Sequence, residues 1–410
     1  MTEKVDKSAS SKGQYLKDVF LCSLVAFGGP EAHLGVFYER LVAKKNYLSE
    51  KALMEWMALC SFLPGPTSTQ VITGIGLERG GRSLALLTLL IWATPAILLM
   101  TALSFIPSVL SENGTIPVWL DFLAPMAAGF VAWAAWKLGR KVATDWLTIL
   151  LWIVGATTPI FFHSAWAIPF AFLFGGLFVQ LKRETQTDKT ASLIRLRPPW
   201  IILLLFIGFA LLGIAGSLSS GSSLIEVFER FYRYGYLVFG GGQVVVPLMQ
   251  GELVHSANLM TQQEFLSGFG VVQAMPGPMF SFAAYAGGLC EQAGSTTRQV
   301  AGALLGGCAI FLPGTLLLFF VHPFWARLQQ SKWASRSLTG INAVAGGLVA
   351  GAFVQIMLNL EWTKSAICFI ALTLIFLAKK VPAPIFVILL LCFNLLLHCC
   401  LLYTSDAADE

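Results

Sequence analysis

The amino-acid sequence predicts an all-α, polytopic membrane protein with two homologous halves in inverted orientation and about 12 to 13 membrane segments. Three observations lead to this prediction: an apolar composition, a series of long apolar runs, and a repeat that covers nearly the whole chain. Of the 410 residues, 56% are hydrophobic and 12% are charged, whereas soluble chains carry about 25% charged residues. So few charges cannot cover a globular surface, and soluble classes of protein are excluded.

The charged residues lie in short patches between the apolar runs. The 27 basic and 22 acidic side chains give a formal net charge of +5. In a membrane protein such patches report the orientation of loops rather than a nucleic-acid partner. The 8 cysteines show no spacing typical of metal ligands, and most lie inside apolar runs. We therefore expect no nucleic-acid partner, no metal site and no disulfide framework.

The apolar runs follow one another from residue 15 to residue 402. A helix that crosses about 30 Å of hydrocarbon needs about 20 mostly apolar residues. Two runs, 15–30 and 226–242, are short and end in glycine clusters, so either they cross the membrane or they enter it without crossing. The candidate runs are 15–30, 52–77, 84–106, 119–138, 144–162, 164–181, 199–217, 226–242, 264–289, 299–321, 338–358, 363–378 and 382–402.

The two halves of the chain are a repeat. At an offset of 212 positions, Phe27-Gly28-Gly29 aligns with Phe239-Gly240-Gly241, and Pro64-Gly65-Pro66 aligns with Pro276-Gly277-Pro278. The repeat divides the chain into consecutive segments. These are a first repeat at 14–181, a polar and basic cytoplasmic linker at 182–198, a connecting membrane helix at 199–217, a second repeat at 224–402, and a tail at 403–410 that resembles a translated cloning scar and is predicted to be non-native.

Loop charges indicate that the second half is inverted. The loop 107–118 has no lysine or arginine, while its second-half counterpart contains Arg327, Lys332 and Arg336. The asymmetry reverses at the next loop: residues 137–144 contain three basic side chains, whereas only Lys364 lies in the counterpart. This is the pattern that the positive-inside rule demands of an inverted repeat, an architecture typical of secondary transporters.

One basic loop disagrees with this topology. Residues 31–51 contain Arg40, Lys44, Lys45 and Lys51, yet a count of crossings from the first run places them outside the cell. Either the first run does not cross the membrane or this basic patch has another role.

Pro-Gly-Pro in the middle of an apolar run predicts a broken helix. Pro64 and Pro66 lack an N–H group and Gly65 adds backbone freedom, so the run 52–77 must break near its centre. Broken backbone at that depth is tolerated where it is buried in protein or lines a wet cavity. A kink without a ligand is the alternative. The copy at 276–278 occupies the equivalent position of the second half, which favours a functional break in both.

The polar residues after the first break are candidates for binding an oxyanion. If a helix restarts at Thr67, its first-turn N–H groups and the positive end of its dipole face the gap. Ser68, Thr69 and Gln70 add hydroxyl and amide donors, although simple helix capping would also explain them. The second copy continues with Met279-Phe280-Ser281-Phe282. We therefore expect the polar side of the site to come mainly from the first half.

A glycine motif precedes each break. Phe27-Gly28-Gly29-Pro30-Glu31 in the first half corresponds to Phe239-Gly240-Gly241-Gly242-Gln243 in the second. Consecutive glycines either let backbone N–H groups approach an anion or pack helices closely. A carboxylate at Glu31 would relay protons, pair with His33 or Arg40, or lie solvated in a loop. The predicted substrate-binding residues are Gly28, Gly29, Pro30, Glu31, Pro64, Gly65, Pro66, Thr67, Ser68, Thr69, Gln70, Gly240, Gly241, Gln243, Pro276, Gly277, Pro278 and Ser281.

These motifs together resemble the chromate ion transporter (CHR) family in its long, two-domain form. The resemblance rests on FGGPEAH and PGPTSTQ in the first half, with FGGGQ and PGPMF in the second, and covers residues from about 15 to 400. It implies a multi-pass protein of the bacterial inner membrane that exports chromate, a tetrahedral dianion similar to sulfate. The residues that match the family motifs are Gly28, Gly29, Pro30, Pro64, Gly65, Pro66, Gly240, Gly241, Gln243, Pro276, Gly277 and Pro278.

Other functions stay open beside chromate export. A transporter of sulfate or another small anion and an anion channel are both compatible with the repeat. An enzyme is disfavoured because the five histidines lie far apart and form no cluster with acidic residues. We expect no cofactor and no catalytic residue. The partners expected are the oxyanion and membrane lipid, and self-association stays open.

Overall fold

The computed structural model of the chain describes residues 11–107, 121–162, 167–181, 198–219, 223–239, 242–329 and 331–406. Every regular element in these ranges is a helix, so the predicted all-α class is confirmed there. The first half contains α1 (Lys12–Val25), α2 (Pro30–Phe37), α3 (Glu50–Phe62), α4 (Thr67–Leu103), α5 (Leu123–Val142), α6 (Trp146–Phe161) and α7 (Ala167–Phe178). A π-helix, Tyr38–Ala43, continues α2.

The second half repeats this order after a connecting helix, α8 (Trp200–Ser219). Its helices are α9 (Ser223–Leu237), α10 (Val245–Gln250), α11 (Gln262–Ala274), α12 (Phe282–Cys290), α13 (Thr296–Ala309), α14 (Leu312–Val321), α15 (Trp325–Leu328), α16 (Lys332–Leu358), α17 (Lys364–Ala378) and α18 (Ala383–Asp406). The predicted linker lies outside the described residues except for Pro198. Of the predicted tail, residues 403–406 belong to α18 and the rest lie outside the described residues.

Several helix starts are explained by capping side chains. The hydroxyls of Ser11, Ser49 and Ser295 accept the backbone N–H three positions further along the chain. Asp145 and Thr261 open α6 and α11 with capping boxes. Each cap satisfies N–H groups that have no partner inside the helix. Local sequence therefore fixes where these helices begin.

The repeat is visible in the backbone conformation. Asn46 and Asn258, which align at the 212-residue offset, both have φ 49°. The central glycines of the two Pro-Gly-Pro motifs, Gly65 and Gly277, have φ of 115° and 99°. A π-helix occurs at matching positions, Tyr38–Ala43 and Gly251–Ser256. Two halves that share such uncommon conformations have the same fold.

Each Pro-Gly-Pro motif is the tip of a helical hairpin. Trp56 on α3 donates a hydrogen bond of 2.8 Å from Nε1 to Glu78 on α4, and the Trp56 ring also packs against Gly74. These contacts require the start of α4 to run back along α3. The same reversal occurs in the second half, where the Tyr285 hydroxyl donates to the Glu264 carbonyl at 3.0 Å.

This reversal corrects the expectation that 52–77 and 264–289 are broken membrane-crossing helices. The break occurs at the predicted place, but two prolines without N–H groups and a glycine with positive φ turn the chain back. A second break follows at Gly80 and Gly81, where φ and ψ are non-helical. Helix α4 therefore has a short return arm, 67–79, and a long arm, 82–103.

The first run also turns back instead of continuing across. The Tyr47 hydroxyl donates to Asp18 on α1, and the rings of Tyr15 and Tyr47 lie 5.4 Å apart. The chain thus enters along α1, reverses at the glycines after Phe27 and returns along α2 to Tyr47. In the second half Arg230 and Arg233 of α9 bind Glu252 at 3.2 and 2.9 Å, which closes the equivalent hairpin.

Four of the predicted runs, 15–30, 52–77, 226–242 and 264–289, take part in these hairpins. The hairpins also bear on the basic loop 31–51, which disagreed with the predicted topology. If α1 and α2 form a hairpin that enters and leaves on one face, residues 31–51 lie on the same face as the chain start. In the described residues three helices are long and apolar enough to cross a membrane by length and composition: Thr67–Leu103, Thr296–Phe324 and Lys332–Leu358. Further apolar helices are shorter.

The two halves interlock through a long helix with a glycine-rich surface. Helix α16 packs against α5, α6 and α7 of the first half. A Cβ on Gly340 would lie 2.1 Å from the Gly175 oxygen, and a Cβ on Gly347 would lie 2.0 Å from the Trp152 oxygen. Small residues allow this close approach of helix backbones, which is typical of packing in membranes.

Candidate functional site

The candidate site centres on the start of α4. Its N-cap is Pro66, which provides no side-chain acceptor, and the first intrahelical bond at this end runs from the Gln70 N–H to the Pro66 carbonyl. The N–H groups of Thr67, Ser68 and Thr69 therefore have no partner within the helix. Ser68 and Thr69 are buried and Thr67 is half-buried. Together with the helix dipole, these N–H groups can bind a negative charge.

A histidine connects the two tips of the first half. Gly28 and Gly29 have φ of 87° and 85°, and α2 starts at Pro30, the favoured first helical residue. One turn later the Nδ1 atom of His33 lies 2.9 Å from the Ser68 hydroxyl, with both side chains buried. Sequence reasoning considered His33 as a partner for Glu31 and missed its contact with Ser68. The position of His33, one helical turn after the glycine motif, was the sequence signal that could have identified it.

Glu31 does not take the predicted partners. Its carboxylate accepts a hydrogen bond of 2.6 Å from the Lys137 ammonium group on α5. Of the alternatives considered for Glu31, pairing with His33 or Arg40 is therefore not the arrangement seen. Both partners of the observed ion pair are exposed, and exposed ion pairs contribute about 0–1 kcal/mol to stability in water. Helix α2 starts immediately before Glu31, so the carboxylate also lies at the favourable end of its dipole.

Two other polar residues at the α4 start are engaged by the protein itself. Trp92 Nε1 donates to the Thr69 hydroxyl at 3.2 Å. The Gln70 amide nitrogen donates to the carbonyls of Pro64 and Gly314, at 2.9 and 3.0 Å. Both amide hydrogens are thus used, and only the carbonyl oxygen of the Gln70 side chain is left without a partner in the described part of the chain. The role predicted for Gln70, donation to an anion, is replaced here by support of the Pro-Gly-Pro loop.

The tips of the two halves are joined by reciprocal hydrogen bonds. The Gly65 N–H donates to the Val238 carbonyl at 2.8 Å, and the Gly277 N–H donates to the Ala26 carbonyl at 2.9 Å. Each acceptor is the residue immediately before a Phe-Gly-Gly motif. The Pro-Gly-Pro tip of each half therefore contacts the glycine tip of the other. Sequence alignment pairs motifs by position and gave no signal for this crossing.

The second-half tip is largely apolar. After Pro278, residues Met279–Ser281 form a 3₁₀ turn, and all three are buried. The Ser281 hydroxyl has no hydrogen-bond partner in the described ranges, and Gln273 donates to the Met279 sulfur at 3.2 Å. Among the described residues that follow the two Pro-Gly-Pro motifs, the hydroxyl-bearing side chains are thus concentrated in the first half. The predicted site residues Gly240 and Gly241, and the side chain of Gln243, lie outside the described residues.

Comparison with known proteins places these features in a wider context. A family model described as chromate transporter matches residues 13–180 and 225–396. A probable chromate transport protein of Synechococcus elongatus is 26% identical over 375 residues, covering 89% of this chain and 90% of that protein. A chromate transport protein of Pseudomonas aeruginosa is 25% identical over 341 residues, covering 81% of this chain and 78% of its own length.

A shorter relative resembles about one repeat. An uncharacterised transporter of Bacillus subtilis is 27% identical over 166 residues, which is 93% of its own length and 39% of this chain. The family match in two separate regions agrees with this, and the prediction of two homologous halves is confirmed. No solved structure matches the chain.

Proposed function

Because the chain belongs to the chromate transporter family, we propose that it is a secondary transporter that exports chromate across the bacterial inner membrane. One observation carries the proposal for the site: the buried, uncapped start of α4 lies beside the junction where the tips of the two halves meet. Substrate sites of transporters with internal repeats form at such junctions, with helix N-termini facing anionic groups.

The chemistry of this helix start suits a tetrahedral oxyanion. Chromate presents only acceptor oxygens, and the free N–H groups of Thr67, Ser68 and Thr69 are donors fixed by the backbone. A donor that is already fixed and already dehydrated needs no further ordering when an anion arrives. The Thr67 hydroxyl adds an adjustable donor. The glycines at 28 and 29 belong to the same proposed shell.

The reciprocal bonds between the tips suggest how access is controlled. Two of the donor residues at the α4 start, Ser68 and Thr69, are enclosed, with 5% and 2% exposed, while Thr67 is half-buried. Substrate must therefore enter by separation of a hairpin tip from the opposite half. Breaking the Gly65–Val238 bond on one side and the Gly277–Ala26 bond on the other would open the site to one face at a time. This scheme is alternating access by two equivalent gates.

Because chromate is a dianion, its export needs no energy source beyond the membrane potential. A dianion that leaves a cell with a negative interior gains about 4.6 kcal/mol per 100 mV, because each charge contributes 2.3 kcal/mol. The membrane potential, alone or with an ion gradient, can therefore drive export. Import would require several cations for each chromate ion.

Transport by everted membrane vesicles tests this proposal. Chromate export corresponds to uptake of radiolabelled chromate into vesicles that contain the protein. We expect uptake to fall when valinomycin and K⁺ collapse the potential, and to persist when nigericin removes the pH gradient. Uptake no greater than in vesicles without the protein would refute chromate transport. Suppression of labelled chromate uptake by equimolar sulfate would indicate a broader oxyanion transporter.

The inverted arrangement that we propose would put equivalent loops of the two halves on opposite faces of the membrane. In this arrangement both hairpins of a half enter and leave the membrane on the same face. The chain then crosses four times, through α5, α6, α7 and the long arm of α4, and returns to that face. A fifth crossing by α8 inverts the second half. Lys44 and Ser256 are exposed and occupy matching loops. We expect a membrane-impermeant thiol reagent to label Lys44→Cys only from the cytoplasmic face and Ser256→Cys only from the outer face, each in a cysteine-free background. Labelling of both from one face would exclude the inverted arrangement.

A further inference from the structure

His33 is a buried titratable side chain whose second ring nitrogen is unused. The side chain is 1% exposed, and its ring packs edge-on against Trp92 with the ring centres 5.4 Å apart. Nδ1 contacts the Ser68 hydroxyl, but Nε2 has no hydrogen-bond partner among the described residues. A buried polar atom without a partner is destabilising. Such an atom calls for an explanation in the function of the protein.

The His33–Ser68 pair has one hydrogen beyond the one that joins the two residues, whichever tautomer is present. A neutral imidazole has one N–H and serine has one O–H. One of these two hydrogens lies in the bond between the residues. The other remains, either on Nε2 or on the Ser68 oxygen. If the imidazole is protonated, the pair presents two free hydrogens and a positive charge.

This donor lies at the crossing between the two halves. Ser68 is the second residue of α4, so the pair sits beside the free N–H groups of the helix start. The Ala26 carbonyl lies near the same imidazole ring and is also the acceptor of the Gly277 N–H from the second half. The imidazole ring of His33 therefore lies at the junction of the tips rather than against lipid.

We propose that His33 and Ser68 are substrate ligands, which add a side-chain donor to the helix start and bind one oxygen of a tetrahedral oxyanion. This inference rests on the proposed transport of chromate and names a residue that makes the site selective. Backbone N–H groups alone accept any small anion, whereas an imidazole at a fixed distance from them requires an anion with oxygens that reach both.

The second half lacks the corresponding pair. At the 212-residue offset, His33 corresponds to Val245 and Ser68 to Phe280, both buried and apolar. The two tips therefore share a backbone arrangement but only one carries the donor pair. A single oxyanion bound on the first-half side of the junction follows from this difference.

Two substitutions at His33 separate a ligand from a structural side chain. Asparagine retains a polar atom near the position of Nδ1 and loses the one at Nε2, while glutamine retains a polar atom near Nε2. We expect His33→Asn to weaken equilibrium binding of radiolabelled chromate to the purified, full-length protein about 10-fold or more, since a hydrogen bond to a charged group is lost. His33→Gln should recover most of the affinity.

A control variant and two measurements separate a loss of binding at His33 from a loss of folding. His322 stacks on Trp56 with 4.8 Å between ring centres, away from the tips, and His322→Asn should bind chromate like the wild type. Size-exclusion elution and the melting temperature report folding. If His33→Asn fails to fold, Ser68→Ala replaces it and should weaken binding by a similar factor.

Three outcomes would decide the matter. Unchanged affinity of folded His33→Asn, with wild-type chromate binding intact, would overturn the inference and leave the proposed function in place. Equal losses in the Asn and Gln variants, each with a lowered melting temperature, would show a structural histidine and also overturn it. Absence of chromate binding and transport by the wild type would instead refute the proposed function, and His33 would then lose its assigned ligand.

Discussion

Gly65→Ala is expected to reduce chromate export at least about 10-fold while the protein still inserts into the membrane, because the strain at this position falls on the junction of the halves. Gly65 has φ 115°, which L-residues with a side chain rarely adopt. An added Cβ would lie 3.3 Å from the Gly314 Cα atom and 3.5 Å from the Gly235 oxygen, both backbone atoms that cannot move aside alone. Relief of the strain would displace the Gly65 N–H from the Val238 carbonyl.

The measurement is chromate uptake by everted vesicles, normalised to the amount of inserted protein. Gly35 in α2 is the matched control, since no atom lies within 4 Å of an added Cβ and its φ is ordinary. Gly35→Ala should transport normally. Gly277→Ala should act like Gly65→Ala, because its φ is 99° and an added Cβ would lie 3.0 Å from the Ala96 methyl group. Normal export by Gly65→Ala would show that the tip geometry is not needed for transport.

Gln70→Leu is expected to impair both stability and transport. The substitution removes the side-chain donor from the half-buried Pro64 carbonyl and from the buried Gly314 carbonyl, which lies inside α14. Each unsatisfied buried group costs about 1–3 kcal/mol. Because these carbonyls belong to the Pro-Gly-Pro loop and to α14, the loss loosens the first-half tip from its neighbour. We expect a lower melting temperature in detergent and at least about a 10-fold loss of chromate affinity, since the N–H groups at the α4 start lose their fixed position.

Gln299→Leu distinguishes general destabilisation from damage to the site. Gln299 is also buried and its amide donates to the Ser104 carbonyl at 2.9 Å, at the far end of α4 from the tips. This variant should lower the melting temperature but bind chromate normally per folded molecule. Should Gln70→Leu and Gln299→Leu lower the melting temperature equally and bind chromate equally well, Gln70 would have no role at the site.

The position of the breaks was predictable from the sequence, whereas the reversal of the chain was not. Two prolines and a glycine exclude a continuous helix at 64–66 wherever they occur. Whether the next helix continues forward or folds back depends on partners for both arms. Trp56 and Glu78 provide one such contact across the hairpin, and their spacing of 22 residues has no local periodicity that would reveal it.

The candidate site could be predicted only in part, because several of its contacts come from residues distant in sequence. The hydroxyl-bearing start at Thr67 could be identified from residues in one helical turn, and the apolar second copy indicated an unequal pair of tips. His33 and Gly314 reach that turn from other helices, and Trp92 reaches it from the long arm of α4. The partners considered for Glu31, His33 and Arg40, lie close to it in sequence, but its partner Lys137 comes from α5.

The sequence by itself determined the membrane class, the all-α content, the two homologous halves and the places where the helices break. Composition, apolar length and proline chemistry act locally, so they need no knowledge of neighbours. The tertiary structure alone decided that the runs before and after each tip form hairpins, that the tip of each half binds the glycine motif of the other, and that Gln70 supports the loop. Those features are hydrogen bonds between segments up to 251 residues apart, such as Gly277 with Ala26, and packing of the whole chain selects them.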